Sequence, residues 1–292
     1  MTQFKDQTLL VTGAAGHFGR IAIDELLARG ATKIIAGTRD PSKLADLATK
    51  GVTVRALDFD KPEDLATAFN GVDRVLLIST DSIGRRAEQQ IKAVKAAAAA
   101  GVKHFVYTSA PNANPNPGNV LSNEHFATEQ ALANSGATST ILRNHLYAEV
   151  ILYGASSAVA GGALYDATGD GLRSYVWRED AARTAAGALL SAEGNAILDV
   201  TGPAPVAQAE VAGLLAELSG KPVNRVGLTG EQLKSGMVAN GLPEAVADLM
   251  VNFDIDAAKG YHALSTDVVE TFSGRKPQSV AAFLATNKAA FA

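Results

Sequence analysis

Over the first 145 residues, short apolar runs rich in β-branched residues alternate with stretches in which apolar positions recur every three or four residues. The runs "TLLVTG", "KIIAGTR", "VTVRALDF", "DRVLLIST", "KHFVYTSA" and "ATSTILRN" predict six strands. Between them, "HFGRIAIDELLARG" predicts a helix closed by Gly30. "DPSKLADLATKG" predicts a helix with Asp40 as N-cap and Pro41 in its first turn. "DKPEDLATAFNG" spaces Asp60 and Glu63 as a capping box, and "AEQQIKAVKAAAAAG" puts Ile91, Val94 and Ala98 on one helical stripe. Strands separated by helices of this length imply parallel pairing through crossovers, an α/β fold with a doubly wound parallel sheet.

After residue 145 the rhythm breaks. "HLYAEVILYGASSAVAGGALYDATGDG" reads as loop, "REDAARTAAGALLS" as a helix, "AILDVTGP" as one more strand, and the chain from "VAQAEVAGLLAELSGKPV" onward as mainly helical. Residues 1–150 with about 178–202 are expected to form the main α/β domain. About 151–177 with 203–292 are expected to form a smaller lobe that covers its crevice. A length of 292 residues suits this division.

Composition narrows the function. A net charge of −4 without any Lys/Arg run argues against a nucleic-acid partner. The absence of cysteine excludes disulfides, thiolate catalysis and zinc–thiolate sites, and no linked His/carboxylate motif points to another metal. The start, "MTQFKDQTLLVTG", enters a strand at once and shows no signal peptide; the apolar stretch Val150–Tyr165 is short for a membrane span. A cytoplasmic protein is expected, with a homo-oligomer compatible but unspecified.

The chemistry begins at "VTGAAGHFGR". Gly13, Gly16 and Gly19 lie between the first strand and the first helix, spaced to permit a tight turn, close approach to a pyrophosphate and close helix–strand packing. The loop Gly13, Ala14, Ala15, Gly16, His17, Phe18, Gly19 is thus the expected phosphate cradle, at a helix N-terminus whose N–H groups favour an anion. Arg39 stands twenty residues after Gly19, where an acidic residue would hold the ribose diol of NAD. A guanidinium there pairs with a 2′-phosphate, which favours NADP(H). Asp58, ending the third strand, is placed for the adenine amino group, and Ile78, Ser79 and Thr80, ending the fourth, for lining the cofactor. Tyr107, ending the fifth, is either at the cofactor end of the sheet or a buried sheet residue.

These stretches, together with "GTRDPSKL", "GVKHFVYTS", "EHFATEQALANSG", "ILRNHLYAE", "LSGKPV" and "SGRKPQSVAAFL", resemble the NmrA-like branch of the atypical short-chain dehydrogenases, nearest its bacterial quinone-reductase-like members. The combination of "HxxTE" with "LRN" is more specific than the glycine loop. The resemblance implies a Rossmann domain with a small C-terminal lobe and a cleft between them. It implies NADPH used without a flavin or metal, and a small electrophilic, conjugated substrate such as a quinone. By position it assigns Gly13 to Gly19, Arg39, the "IST" segment and Asn144 to the cofactor, with Asn144 near the nicotinamide.

One part of the usual machinery is missing. After Lys103 the next lysine is Lys221, so the Tyr–Lys donor pair of ordinary short-chain dehydrogenases is absent. Ketone reduction yields an alkoxide that needs a proton; a hydroquinone anion is delocalised and solvent can protonate it. Where the pair would stand, the chain has His125 and Glu129, one helical turn apart and in line with Leu132. Two readings are open: Glu129 orients His125 as an acid, or both are structural. Tyr147 and His145 are further candidates to face the substrate, Ser109 could also hydrogen-bond its oxygen, and Arg178 is expected in a structural ion pair. The competing functions are a dinucleotide-binding redox sensor without turnover, and a carbonyl or imine reductase with an unusual acid.

Overall fold

The computed structural model describes residues 3–115 and 119–292; Met1 and Thr2, on which the reading of the start partly rests, fall outside them. The first half runs β1 (Leu9–Val11), α1 (His17–Ala28), β2 (Ile34–Thr38), α2 (Ala45–Ala48), β3 (Thr53–Ala56), α3 (Pro62–Ala68), β4 (Arg74–Leu77), α4 (Arg86–Ala99), β5 (His104–Ser109), α5 (Val120–Ala133) and β6 (Thr138–Asn144). The second half runs α6 (Glu149–Gly161), β7 (Ala163–Asp166), β8 (Leu172–Arg173), α7 (Arg178–Ser191), β9 (Ala196–Val200), β10 (Val206–Ala207), α8 (Gln208–Ser219), β11 (Asn224–Gly227), α9 (Gly230–Ala239), α10 (Glu244–Ala258), α11 (Val268–Ser273) and α12 (Val280–Thr286).

The chain divides into two compact units. The first comprises the described residues of Met1–Asn144 with Glu179–Val200 and Val268–Arg275. Seven strands lie in the order β3-β2-β1-β4-β5-β6-β9, every neighbour parallel. This is the expected doubly wound α/β sheet. Both faces of the five central strands are buried, which is why those strands read as near-continuous apolar runs. Leu10, Val75, Leu77, Phe105 and Tyr107 share one core with Phe69, Ala93, Val94, Ala97 and Leu132 of the α3–α4–α5 side. The alternate residues Leu9, Val11, Leu76 and Val106 are fully enclosed too, and α1 packs against β1 and β2. Helix α11 packs against β9, a late return to the sheet that the sequence pattern does not announce.

The second unit comprises His145–Arg178, Thr201–Asp267 and Lys276–Ala292. It is mainly helical, with two small sheets, β7 parallel to β11 and β8 antiparallel to β10. Its core gathers Ile151, Ala155, Tyr175, Leu215, Phe283 and Leu284. Among the described residues no helix is long and apolar enough to cross a membrane.

Four local expectations are corrected. The stretch read as loop contains α6, whose buried Ile151, Ala155, Ala158 and Val159 keep helical spacing; glycines, serines and alanines between them blur the pattern. The segment after β2 is a 3₁₀ turn, Pro41–Leu44, followed by the single turn α2, although Asp40 does cap it by accepting from the Ser42 N–H. The buried positions of α4 are Arg86, Gln89, Gln90, Ala93, Val94 and Ala97; of the expected stripe Val94 is among them, while Ile91 and Ala98 are half-buried. Asp60 caps nothing: α3 starts after Lys61 without a side-chain cap, and Asp60 instead accepts from Arg85 and Gln89.

At the start of β4, the buried guanidinium of Arg74 donates to the Leu189 carbonyl at 2.7 Å and the Ala192 carbonyl at 2.6 Å, closing the end of α7. Its register partner on β5 is His104, whose ring meets Thr138 and Thr140. Burial, helped by Arg74, pushes His104 down to about 3. Replacing Arg74 with Met would strand those carbonyls, and urea unfolding should show a loss of about 2–4 kcal/mol. Because the unfolded chain binds a proton on His104 near pH 6.5 and the folded chain does not, stability is full above that pH and falls as pH drops towards 3. Melting temperature should therefore decline between about pH 6.5 and 5, before most carboxylates titrate; a flat profile there would contradict the neutral buried ring.

Candidate nucleotide site at the sheet's switch point

Strand β1 pairs with β2 on one side and β4 on the other, so the connections leaving β1 and β4 diverge and open a crevice beyond their carboxyl ends. A cavity of about 270 Å³ lies there. Of the residues expected at a cofactor, Gly13, Ala15, Gly16, Arg39, Asp58, Ile78, Ser79 and Thr80 line it. Thr12, Thr38, Leu57, Phe59, Asp81, Ser82 and Gln89 line it as well and were not anticipated.

The loop after β1 explains its glycines individually. Gly13 sits at φ +60°, a left-handed conformation. A Cβ on Gly19 would lie 2.6 Å from the Gly13 carbonyl oxygen and 2.8 Å from Ala14 Cα, so α1 can approach the loop only without one. A Cβ on Gly16 would meet only the Gly13 oxygen at 3.3 Å, and its other surroundings are open. Gly16 is the N-cap of α1 and offers no side-chain acceptor to the first N–H groups of the helix. Ala14, Phe18 and Gly19 are buried in the packing rather than on the cavity wall, and His17 is exposed outside it. Arg39 is exposed at the rim.

The opposite wall is built from backbone that has left the ladder and bonds to side chains instead. Past Leu77 the ladder of β4 ends, and three successive N–H groups would be orphaned. The Ile78 N–H donates to Thr12 Oγ1 at 2.9 Å, the Ser79 N–H to Thr108 Oγ1 at 2.8 Å, and the Thr80 N–H to Gln90 Oε1 at 2.9 Å. Asp58 does have local work: its Oδ1 accepts from the Asp60 N–H at 3.0 Å while its own N–H donates to Asp64 at 2.9 Å.

His125 and Glu129 share a buried face of α5, as their spacing requires, but they do not pair with each other. Arg86 can only donate, so His125 Nε2, 3.0 Å from Arg86 Nη1, is an acceptor and Nδ1 carries the proton, 2.8 Å from the Tyr107 hydroxyl. Both ring nitrogens are thus engaged. Burial first, then Arg86 and Arg143, push His125 down to about 3. Tyr107 is fully enclosed, its pKa pushed up by burial, and it lies off the cavity wall. Of its two readings, the buried sheet residue is the one observed. Glu129 accepts from Ser109 Oγ at 2.6 Å and from Arg143 Nη2 at 2.7 Å, and that carboxylate raises the Arg143 pKa. So "HxxTE" and "LRN" belong together because Glu129 holds Arg143, next to the buried Asn144.

In the second unit, His145 is buried edge-on to His262 at 5.7 Å between ring centroids. Tyr147 is half-buried, and the Arg178 guanidinium lies over its ring at 5.2 Å, where a carboxylate partner had been expected. Glu149 instead accepts from the Arg178 backbone N–H. Among the described residues no cluster of three or more His or carboxylate side chains could hold a metal.

Residues 13–191 match the NAD(P)H-binding family. Quinone oxidoreductase 2 of Escherichia coli is 36% identical over 86% of this chain and 88% of its own length. The crystal structure of the NADPH-dependent quinone oxidoreductase QOR2 from that organism, complexed with NADPH, superposes with a TM-score of 0.89 at 32% identity, covering 97% of this chain and 99% of that one. The Citrobacter sp. triphenylmethane reductase complexed with NADP(H) gives a TM-score of 0.84 at 31% identity, covering 96% and 99%. The chain belongs to the NAD(P)H-binding family.

Proposed function

We propose that the protein transfers hydride from NADPH to quinones or similarly conjugated, electron-poor acceptors, without a flavin and without a Tyr–Lys donor pair. The observation that carries the reading is the crevice itself: an uncapped helix N-terminus and open space at Gly16 face a cavity with a free guanidinium at its rim. That combination fits a pyrophosphate and a 2′-phosphate. The loop Gly13 to Gly19 holds the pyrophosphate, Arg39 the 2′-phosphate and Asp58 the adenine amino group. Ile78, Ser79 and Thr80 support the ribose side, Asn144 the nicotinamide, and Tyr147 the oxygen of the acceptor. When bound, NADPH supplies the hydride.

The proton has another source. His125 is 3% exposed, neutral far below physiological pH, and saturated by Arg86 and Tyr107. It therefore supports structure and does not act as an acid. Between Lys103 and Lys221 the sequence carries no lysine either. Solvent protonates the delocalised anion of a reduced quinone, so positioning is the main contribution asked of the protein.

Two measurements test this. NADPH consumption against a panel of quinones, triarylmethane dyes and aliphatic ketones should be fast for the conjugated acceptors and slow for the ketones. Turnover of ketones but not benzoquinone would replace the reading with a carbonyl reductase, and no turnover of any acceptor with a sensor. Second, Arg39→Ala should raise KM for NADPH by about tenfold or more, the scale of a lost charge-assisted pair, and leave KM for NADH nearly unchanged. An equal rise for both would remove the 2′-phosphate assignment.

A further inference from the structure

We infer that Gln90, on α4, is a positioning residue for the cofactor pocket, and that the buried polar face of α5 exists to hold it. The inference rests on the reading that the crevice takes the dinucleotide. Gln90 is fully enclosed and lies off the cavity wall, yet it fixes a residue that is on it. Its orientation is forced. The Thr80 N–H can only donate, so Oε1 faces it at 2.9 Å. Nε2 then points to Thr128 Oγ1 at 2.7 Å and to the Tyr107 hydroxyl at 3.0 Å. Thr128 spends its own proton on the Glu124 carbonyl at 2.9 Å, which leaves it an acceptor towards Gln90. Behind Tyr107 stands His125, and behind His125 stands Arg86.

The same face of α5 reaches the wall by a second route. Glu124 accepts from the Gly84 N–H at 3.1 Å, within the loop that continues from Thr80 to α4. Gln89 adds a third hold, accepting from the Thr80 hydroxyl at 3.0 Å and donating to Asp60 at 2.8 Å. Thr80 is thus gripped at backbone and side chain by consecutive glutamines. Because the peptide is planar and trans, fixing the Thr80 N–H also fixes the plane that carries the Ser79 carbonyl. The wall is set before a ligand arrives, which lowers the ordering cost of binding.

The test uses the full-length protein, with dissociation constants for NADPH, KM, kcat and melting temperature measured together. Gln90→Met keeps the volume and loses every bond; Gln90→Glu keeps an acceptor for the Thr80 N–H. Gln90→Met should weaken NADPH about tenfold, on the scale of a lost buried hydrogen bond, with kcat within about twofold, and Gln90→Glu, which keeps the Thr80 acceptor but turns a second acceptor towards Thr128, should recover no more than part of the loss. Thr128→Val, which touches neither the pocket wall nor Thr80, should weaken NADPH about threefold or more by freeing Gln90. It decides the matter should Gln90→Met fail to fold. A lower melting temperature with an unchanged NADPH constant in Gln90→Met, or in Thr128→Val where the former does not fold, would reduce Gln90 to a core residue. Failure of the wild-type protein to bind NADPH at all would instead overturn the reading of the crevice.

Discussion

Everything at the candidate site depends on the need to satisfy backbone N–H groups where a parallel sheet stops. Between β1 and β4 the two strands share register only as far as Val11 and Leu76. Beyond that point their chains separate, and no ladder partner is left for Ile78, Ser79 or Thr80. An N–H left unpaired costs up to about 1–3 kcal/mol where water cannot reach it, so three half-buried ones in succession would weaken the segment. The chain supplies one acceptor from each of three elements: Thr12 beyond β1, Thr108 in β5 and Gln90 in α4. A crevice that must stay open for a ligand is thereby given a rigid edge, without a fourth strand or a ligand to complete it.

The same requirement explains why α5 is polar where a core helix should be apolar. Glu124, His125, Thr128 and Glu129 are all buried, and each finds partners on another element: α4 and its leading loop, β5 and β6. In the short-chain dehydrogenase pattern this face carries the proton donor. Here it carries a network in which Arg86 supplies a charge, His125 relays its hydrogen bond as a neutral ring, and Glu129 neutralises Arg143. Burial holds the Arg86 guanidinium below its usual range, with Tyr107 and Glu124 opposing that shift. The guanidinium is held on one side by His125 Nε2 at 3.0 Å and lies 3.9 Å from the Glu124 carboxylate, so removing either neighbour would leave a buried charge less compensated.

The sheet was legible because both its faces are buried and its strands are nearly continuous apolar runs, each bounded by a turn signal. The glycine loop was legible for a different reason: Gly13 needs its left-handed backbone and Gly19 its missing Cβ, so residue type and geometry coincide. Less legible were positions whose residue type points the wrong way. Gln89 and Gln90 look like a solvent face on α4, and only the phase set by Ala93, Val94 and Ala97 would have turned them inward. Asp60 and Glu63 had the spacing of a capping box, but Asp60 is claimed by Arg85 and Gln89, which are distant in sequence and invisible to a local motif. In α6 the interface residues are small, so helical periodicity is present in burial and faint in hydrophobicity.

Network and substrate class also bear on each other. A side chain poised to give up a proton must have one nitrogen or oxygen facing the reacting atoms and a pKa near the working pH. His125 has neither, because each of its nitrogens completes a bond that the pocket wall needs. The face of α5 cannot both brace the wall and donate to a substrate, since either task uses the same imidazole. On the proposed reading, a helix committed to bracing suits acceptors whose reduced form tolerates slow, solvent-borne protonation. Conjugated acceptors meet that condition better than isolated ketones, so the absence of lysine between Lys103 and Lys221 and the burial of His125 both support the proposed substrate class.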